Sequence, residues 1–199
     1  MEKPAAVILA GGEGRRLGGV EKALIKIRGR RLIDLTVAHL KPQSDAIAIS
    51  LRTEKPWTDE YGVPVLLDRP TAKVGPLGGV AAALYWAVSL TPCPSWVVTV
   101  PVDLPFLPDT LIERLTATDT DISVARSGDR AHYAVAAWRP HLVEHLTDTL
   151  KSGAIAISKF QSLHKVVEVE WPTDPIDPFF NINTPEDAAK AEQYLFDIE

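Results

Sequence analysis

This 199-residue chain has one cysteine, Cys93, one methionine and few aromatic residues, 7% in all. A lone cysteine cannot close an internal disulfide, and no cluster of cysteine and histidine marks a structural zinc site. Cys93 stands between Pro92 and Pro94 and reads as a small packing residue. There is no basic excess either: 21 Lys and Arg face 26 Asp and Glu, for a formal net charge of −5. That balance argues against a general nucleic-acid binder, which would carry a positive field. No apolar run approaches the roughly 20 residues of a spanning helix. The opening run Ala5–Ala10 is too short for a signal sequence and leads into glycines with no cleavage site. The expectation is a cytoplasmic protein with no membrane and no nucleic-acid partner. With 46% hydrophobic residues, the chain can bury roughly 70% of its unfolded surface without disulfides or metals.

What is present is an alternation of short apolar runs and helical patterns. Val7-Ile8-Leu9, Ala46–Leu51, Val63–Leu67 and Trp96–Val100 read as strands, the first buried on both faces. Ile122–Ala125, Tyr133–Ala137 and Val166–Val169 read as three more, and Leu24–Ile27 as a short extended piece. Helices are expected over 31–41, 80–90, 108–116, 140–150, 154–161 and 184–195. The last opens on Thr184-Pro185-Glu186-Asp187, a cap residue, a first-turn proline and early acids. Alternation with short connections predicts an α/β fold, a three-layer α/β/α arrangement around a mostly parallel sheet. The expectation is one domain over 1–199. Ligands of such sheets bind beyond the carboxyl ends of the strands. Gly11-Gly12, Asp68 and Asp103 each follow a strand directly, so they should share one rim.

The stretch Leu9–Lys22 carries five glycines with Arg15, Arg16 and Lys22. Glycines let backbone N–H groups close on a ligand, and three cations suit a triphosphate. The P-loop pattern is absent, because Gly18-Gly19 is followed by Val20-Glu21 rather than Lys-Ser. The dinucleotide fingerprint is also broken: Gly12-x-Gly14 is followed by Gly18, one residue too late. A hydride-transfer enzyme is disfavoured on that ground. Arg126, Arg130 and His132 flank a Ser127-Gly128-Asp129 turn and read equally as phosphate contacts or as a solvated hairpin. The five tryptophans read as packing.

The block Leu9-Ala10-Gly11-Gly12 through Arg16, Gly18-Gly19 and Glu21-Lys22 resembles the opening loop of the molybdenum cofactor guanylyltransferases, within the wider nucleotidyltransferase fold. Asp68 with Gly75-Pro76-Leu77-Gly78-Gly79, Val102-Asp103-Leu104-Pro105 and Asn181-Ile182-Asn183-Thr184-Pro185-Glu186 resemble its later blocks in order and spacing. The resemblance implies transfer of GMP from GTP to the terminal phosphate of molybdopterin, with magnesium, releasing pyrophosphate. It implies that Leu9, Ala10, Gly11, Gly12, Lys22, Ser50, Asp68 and Asp103 line the nucleotide. Arg16, Lys22 and Asp103 would be catalytic, with Asp103 on the metal. Gly78, Asn181 and Asn183 would meet the acceptor, and cofactor-handling proteins or molybdoenzymes would be transient partners. The chain departs from the pattern in having Glu21 for aspartate, Val102 for cysteine, and no base-reading asparagine in Ile49–Arg52. Ser50 or backbone groups are the expected substitutes. The alternatives are a molybdopterin cytidylyltransferase and a relative using another phosphorylated acceptor. A nucleotide sensor is a further class, to which a metal carboxylate beside two cations would be superfluous.

Overall fold

The computed structural model describes residues 4–12, 19–68, 75–153 and 155–198. Arg15 and Arg16 lie outside them. The sheet begins with β1 (Ala5–Leu9), whose first four residues are buried. A single turn of 3-10 helix over Lys22–Leu24 leads into a two-residue hairpin, β2 (Lys26–Ile27) and β3 (Arg30–Arg31). Then come α1 (Leu32–Leu40), β4 (Ile47–Leu51), a 3-10 segment at Pro56–Tyr61, and the short β5 (Val65–Leu67). α2 (Pro76–Ser89), β6 (Val97–Pro101) and α3 (Leu111–Thr116) follow. β7 (Ile122–Ser127) and β8 (Arg130–Trp138) form a hairpin. The chain continues through α4 (Val143–Ser152), α5 (Ile157–Gln161), β9 (Val166–Trp171) and α6 (Pro185–Ile198).

Seven strands make one sheet in the order β5-β4-β1-β6-β8-β7-β9. All neighbours are parallel except β8, which runs against both β6 and β7. The strand period of two then sorts the core into two layers. Ala6 and Ile8 face a cluster with Ile33 and Leu40 of α1 and Leu111, Ile112 and Leu115 of α3. Ala5 and Val7 face the opposite cluster with Leu77, Val80 and Leu84 of α2 and Leu146 and Leu150 of α4. A third, smaller cluster joins Ile27, Leu32, Leu35, Ile182 and Ala191, seating the carboxyl-terminal segment on α1 and the small hairpin.

The expected elements are all present, with shifted ends. α2 starts at Pro76 rather than Val80, because Pro76 sets the first-turn φ and Gly78-Gly79 continue the helix. Gly79 is needed there: a Cβ on it would lie 2.8 Å from Leu9 Cδ2 and 3.1 Å from Ser50 Oγ. β5 is shorter than expected, since only Val65–Leu67 pair with β4. α6 extends past Leu195, to Ile198.

Trp138 is fully buried between the hairpin and α4, and its indole N–H donates to Thr99 Oγ1 on β6 at 2.9 Å. Trp138→Ala removes that donor and opens a cavity beneath the helices. Its expected cost is about 3–5 kcal/mol, measured as a lowered urea midpoint with the slope unchanged.

Candidate active site

The parallel registers bring the carboxyl ends of four strands onto one rim. Leu9 stands opposite both Ser50 and Pro101, and Leu51 opposite Leu67. Main-chain bonds carry the alignment one residue further: Ala10 N donates to Ser50 O, Val102 N to Leu9 O, and Asp68 N to Leu51 O. The residues that emerge there enclose a cleft of about 280 Å³. Leu9, Gly11, Gly12, Lys22, Ser50, Asp68, Asp103 and Asn181 all line it, as do Gly75, Pro76 and Gly79 at the mouth of α2.

On one side of the cleft, Lys22 Nζ donates to Asp103 Oδ2 and to Asn183 Oδ1, both at 2.6 Å. The pair is largely withdrawn from water, with side-chain exposures of 17% for Lys22 and 12% for Asp103. Asp103 Oδ1 is buried and has no hydrogen-bond partner among the described residues. Such an oxygen is costly to leave bare and is suited to a cation. No group of three or more His, Cys, Asp or Glu side chains capable of holding a metal occurs among the described residues. A hard cation at Asp103 would therefore complete its shell with phosphate oxygens and water.

The asparagines arrive by a specific route. Ile182 N donates to the carbonyl of Asp103, and the Ile182 side chain is fully buried in the third cluster. With Ile182 pinned inward, Asn181 reaches the cleft and Asn183 reaches Lys22. Just beyond, Asp187 Oδ2 accepts from the N–H groups of Asn183 and Thr184, while Asp187 N donates to Thr184 Oγ1. That reciprocal cap starts α6 and holds the segment still.

The other side of the cleft is built around Asp68. Ser50 Oγ donates to Asp68 Oδ1 at 2.8 Å. Burial pushes the Asp68 carboxyl above its ordinary range, against the Ser50 hydrogen bond and the positive charge of Arg52. Gly11 is a glycine because the loops converge here: a Cβ on it would stand 3.2 Å from Arg52 Cγ and 3.3 Å from Asp68 Oδ2.

The structure thus gathers most of the residues expected from the sequence and redirects several. Ser50 is 1% exposed and its hydroxyl is committed to Asp68, so it orients the carboxylate. Ala10 is buried, and its N–H and the Leu9 carbonyl are spent joining the strand ends, so this part of the main chain ties the rim together. Gly78 is buried in the first turn of α2, with Gly75, Pro76 and Gly79 lining the cleft instead. Arg16 falls outside the described residues. Arg126 pairs with Glu168 at 2.6 Å, and His132 is buried against Ser127 Oγ and the Phe179 ring; neither lines the cleft. Arg52 was missed. It follows β4 directly, and the rule that placed Asp68 and Asp103 on the rim applies to it equally.

Strand ends on one rim, with glycines, a lysine and a carboxylate bearing a bare oxygen, make a cleft suited to a phosphorylated ligand. The family model of the MobA-like NTP transferase domain matches residues 6–166, and the chain belongs to that family. A molybdenum cofactor guanylyltransferase of Rhodopseudomonas palustris (strain BisB5) is 39% identical over 193 residues, covering 94% of this chain and 92% of its own length. The crystal structure of molybdopterin-guanine dinucleotide biosynthesis protein A from Archaeoglobus fulgidus superposes with a TM-score of 0.78 at 23% identity, covering 97% of this chain and 99% of that one. The Rv0371c protein of Mycobacterium tuberculosis, crystallised as a manganese complex, shares the fold with a TM-score of 0.69 at 15% identity, over 96% of this chain and 98% of that one.

Asp68 offers a test through its acid–base behaviour. Its folded-state pKa is raised, so the native protein binds that proton more tightly than the unfolded chain. The stabilisation from protonation is complete below the ordinary aspartate value and is lost as pH rises through the raised one. Asp68→Asn, which removes the buried charge, should therefore melt higher than the parent at pH 7. The difference should shrink as pH falls towards 3.8, read as paired melting temperatures across pH.

Proposed function

We propose that this protein transfers GMP from GTP to the terminal phosphate of molybdopterin, forming the guanine dinucleotide cofactor and releasing pyrophosphate. The observation that carries the reading is the Lys22–Asp103–Asn183 cluster at the base of a nucleotide-sized cleft, in a chain whose close relatives bear that activity's name.

The residues divide the work. Gly11 and Gly12 line the cleft and let the chain pass close to the nucleotide. Asp68 accepts from the ring N–H and exocyclic amine of guanine, a donor pair that adenine lacks. Its ionised form is needed for this, and Ser50 and the Arg52 charge favour that form against burial. An oxygen of the acceptor phosphate forms the new bond to the α-phosphorus, and the bond from that phosphorus to the pyrophosphate oxygen breaks. Lys22 neutralises the negative charge that grows on the departing pyrophosphate, and Arg16 is assigned the same role. The attacking phosphate is already an anion, so the reaction rests on positioning and charge rather than on a base. Asp103 is the proposed holder of Mg²⁺, whose contribution when bound is further charge neutralisation at the phosphates. Asn181 is placed to meet the acceptor, while Asn183 holds the Lys22 ammonium. In this reading residues to about 105 serve the nucleotide and the remainder the acceptor. No helix among the described residues is long and apolar enough to cross a membrane, and the substrates assigned are water-soluble, in keeping with work in the cytoplasm.

Thermal unfolding with Mg²⁺ and each nucleoside triphosphate tests the base preference. A ligand at about 100 times its dissociation constant adds ~2.7 kcal/mol of stability. GTP alone should raise the melting temperature; a shift confined to CTP would reassign the protein as a cytidylyltransferase. For the site, Asp103→Ala should keep the fold, with Asn183 still holding Lys22, and lower guanylyl transfer by at least about 10²-fold. Transfer at the parental rate would remove Asp103 from the metal role.

A further inference from the structure

Glu21, the residue before Lys22, is held by two donors from one distant turn. Lys55 Nζ donates to its Oε1 at 2.5 Å and the Trp57 indole N–H to its Oε2 at 2.6 Å. The Glu21 backbone is equally engaged, since its carbonyl accepts from Leu24 N and closes the 3-10 turn on which Lys22 stands. Burial alone would push the Glu21 carboxyl up, but the hydrogen bonds from Lys55 and Trp57 and the Lys55 charge hold it below the ordinary range.

The donors are themselves anchored. Trp57 meets Tyr61 edge-on, with ring centroids 6.2 Å apart, and both pack against the first core cluster. Tyr61 donates its hydroxyl to Asp34 at the start of α1, and Arg31 bridges Asp34 and Glu60. The 3-10 segment Pro56–Tyr61 is thereby fixed to α1 at one end. At its other end it continues, through residues 53–55, from Arg52 at the nucleotide cleft.

We propose that Glu21, clamped by Lys55 and Trp57, is a positioning residue that fixes the turn bearing Lys22 and so sets where its ammonium meets the nucleotide phosphates. The inference rests on the phosphate role proposed for Lys22. Asp103 and Asn183 hold the ammonium end of Lys22, and its four rotatable side-chain bonds leave the turn to fix the other end, so a shifted backbone would move the charge or break those contacts. The neighbouring Ala23 is buried and anchors the far side of the same turn. Glutamate fits the task because its carboxylate spans two donors two residues apart in the chain. The clamp never touches the reacting atoms. Its effect reaches the chemistry through Lys22 alone.

A double-mutant cycle tests this. Glu21→Ala and Trp57→Phe are each made in the parent and in Lys22→Ala, and kcat/KM for guanylyl transfer and GTP affinity by calorimetry are measured. Trp57→Phe keeps a ring against Tyr61 and removes only the indole donor, which protects the test should Glu21→Ala fail to fold. In the parent, either variant should lower kcat/KM roughly 10- to 100-fold, as a misplacement of about 1 Å does, and weaken GTP binding. In the Lys22→Ala background the same changes should cost nothing further. Equal losses in both backgrounds would make the clamp a general structural element and overturn the proposal, as would no loss in the parent. If Lys22→Ala itself behaves as the parent, the phosphate role of Lys22 fails, and the clamp's role with it.

Discussion

The ammonium of Lys22 draws together three parts of the chain that are far apart in sequence, meeting Asp103 across 81 residues and Asn183 across 161. An ammonium so largely withdrawn from water needs hydrogen-bond partners for its protons. Each partner is delivered by a different device. Asp103 comes on the end of a buried strand, Asn183 beside the inward-pinned Ile182, and Lys22 on a turn tied by its neighbours. The cleft is the space these three devices leave between them, closed on its other flank by Asp68.

Much else follows from keeping that meeting point in register. The four parallel strands β5, β4, β1 and β6 must end level, and the main-chain bonds past their ends make them do so. The loops then crowd, so that a Cβ at Gly11 or Gly79 would force its neighbours to shift. Asp68 carries a cost of the opposite kind. Its burial disfavours the ionised form that the proposed guanine contact needs, and Ser50 and Arg52 offset part of that cost. A site that stabilises its ligand at the expense of its own fold is the ordinary condition of a binding carboxylate.

The fold class was legible from the alternation of apolar runs and helical patterns, because a strand buried on both faces leaves a continuous apolar signature. Boundaries were less legible where packing overrode the local pattern. α2 begins four residues early because Pro76 and two glycines fit a helix start that only the proximity of Leu9 and Ser50 explains. The antiparallel course of β8 follows from the tight Ser127-Gly128-Asp129 turn that joins it to β7, a signal carried by the turn rather than by the strand.

The sequence by itself determined which side chains could serve the chemistry. Glycines after the first strand, Lys22, carboxylates after the third and fourth expected strands, and paired asparagines before the last helix are all readable from type and spacing. Tertiary structure alone decided their assignments. Ser50 turned out to orient Asp68, Gly78 to be buried behind the cleft, and Arg52 to stand on its rim. It also made Trp57, which reads as packing, a hydrogen-bond donor to Glu21. The reason is physical: residue type sets what a group can do, while partner and burial, which set what it does, come from chain segments dozens of residues away.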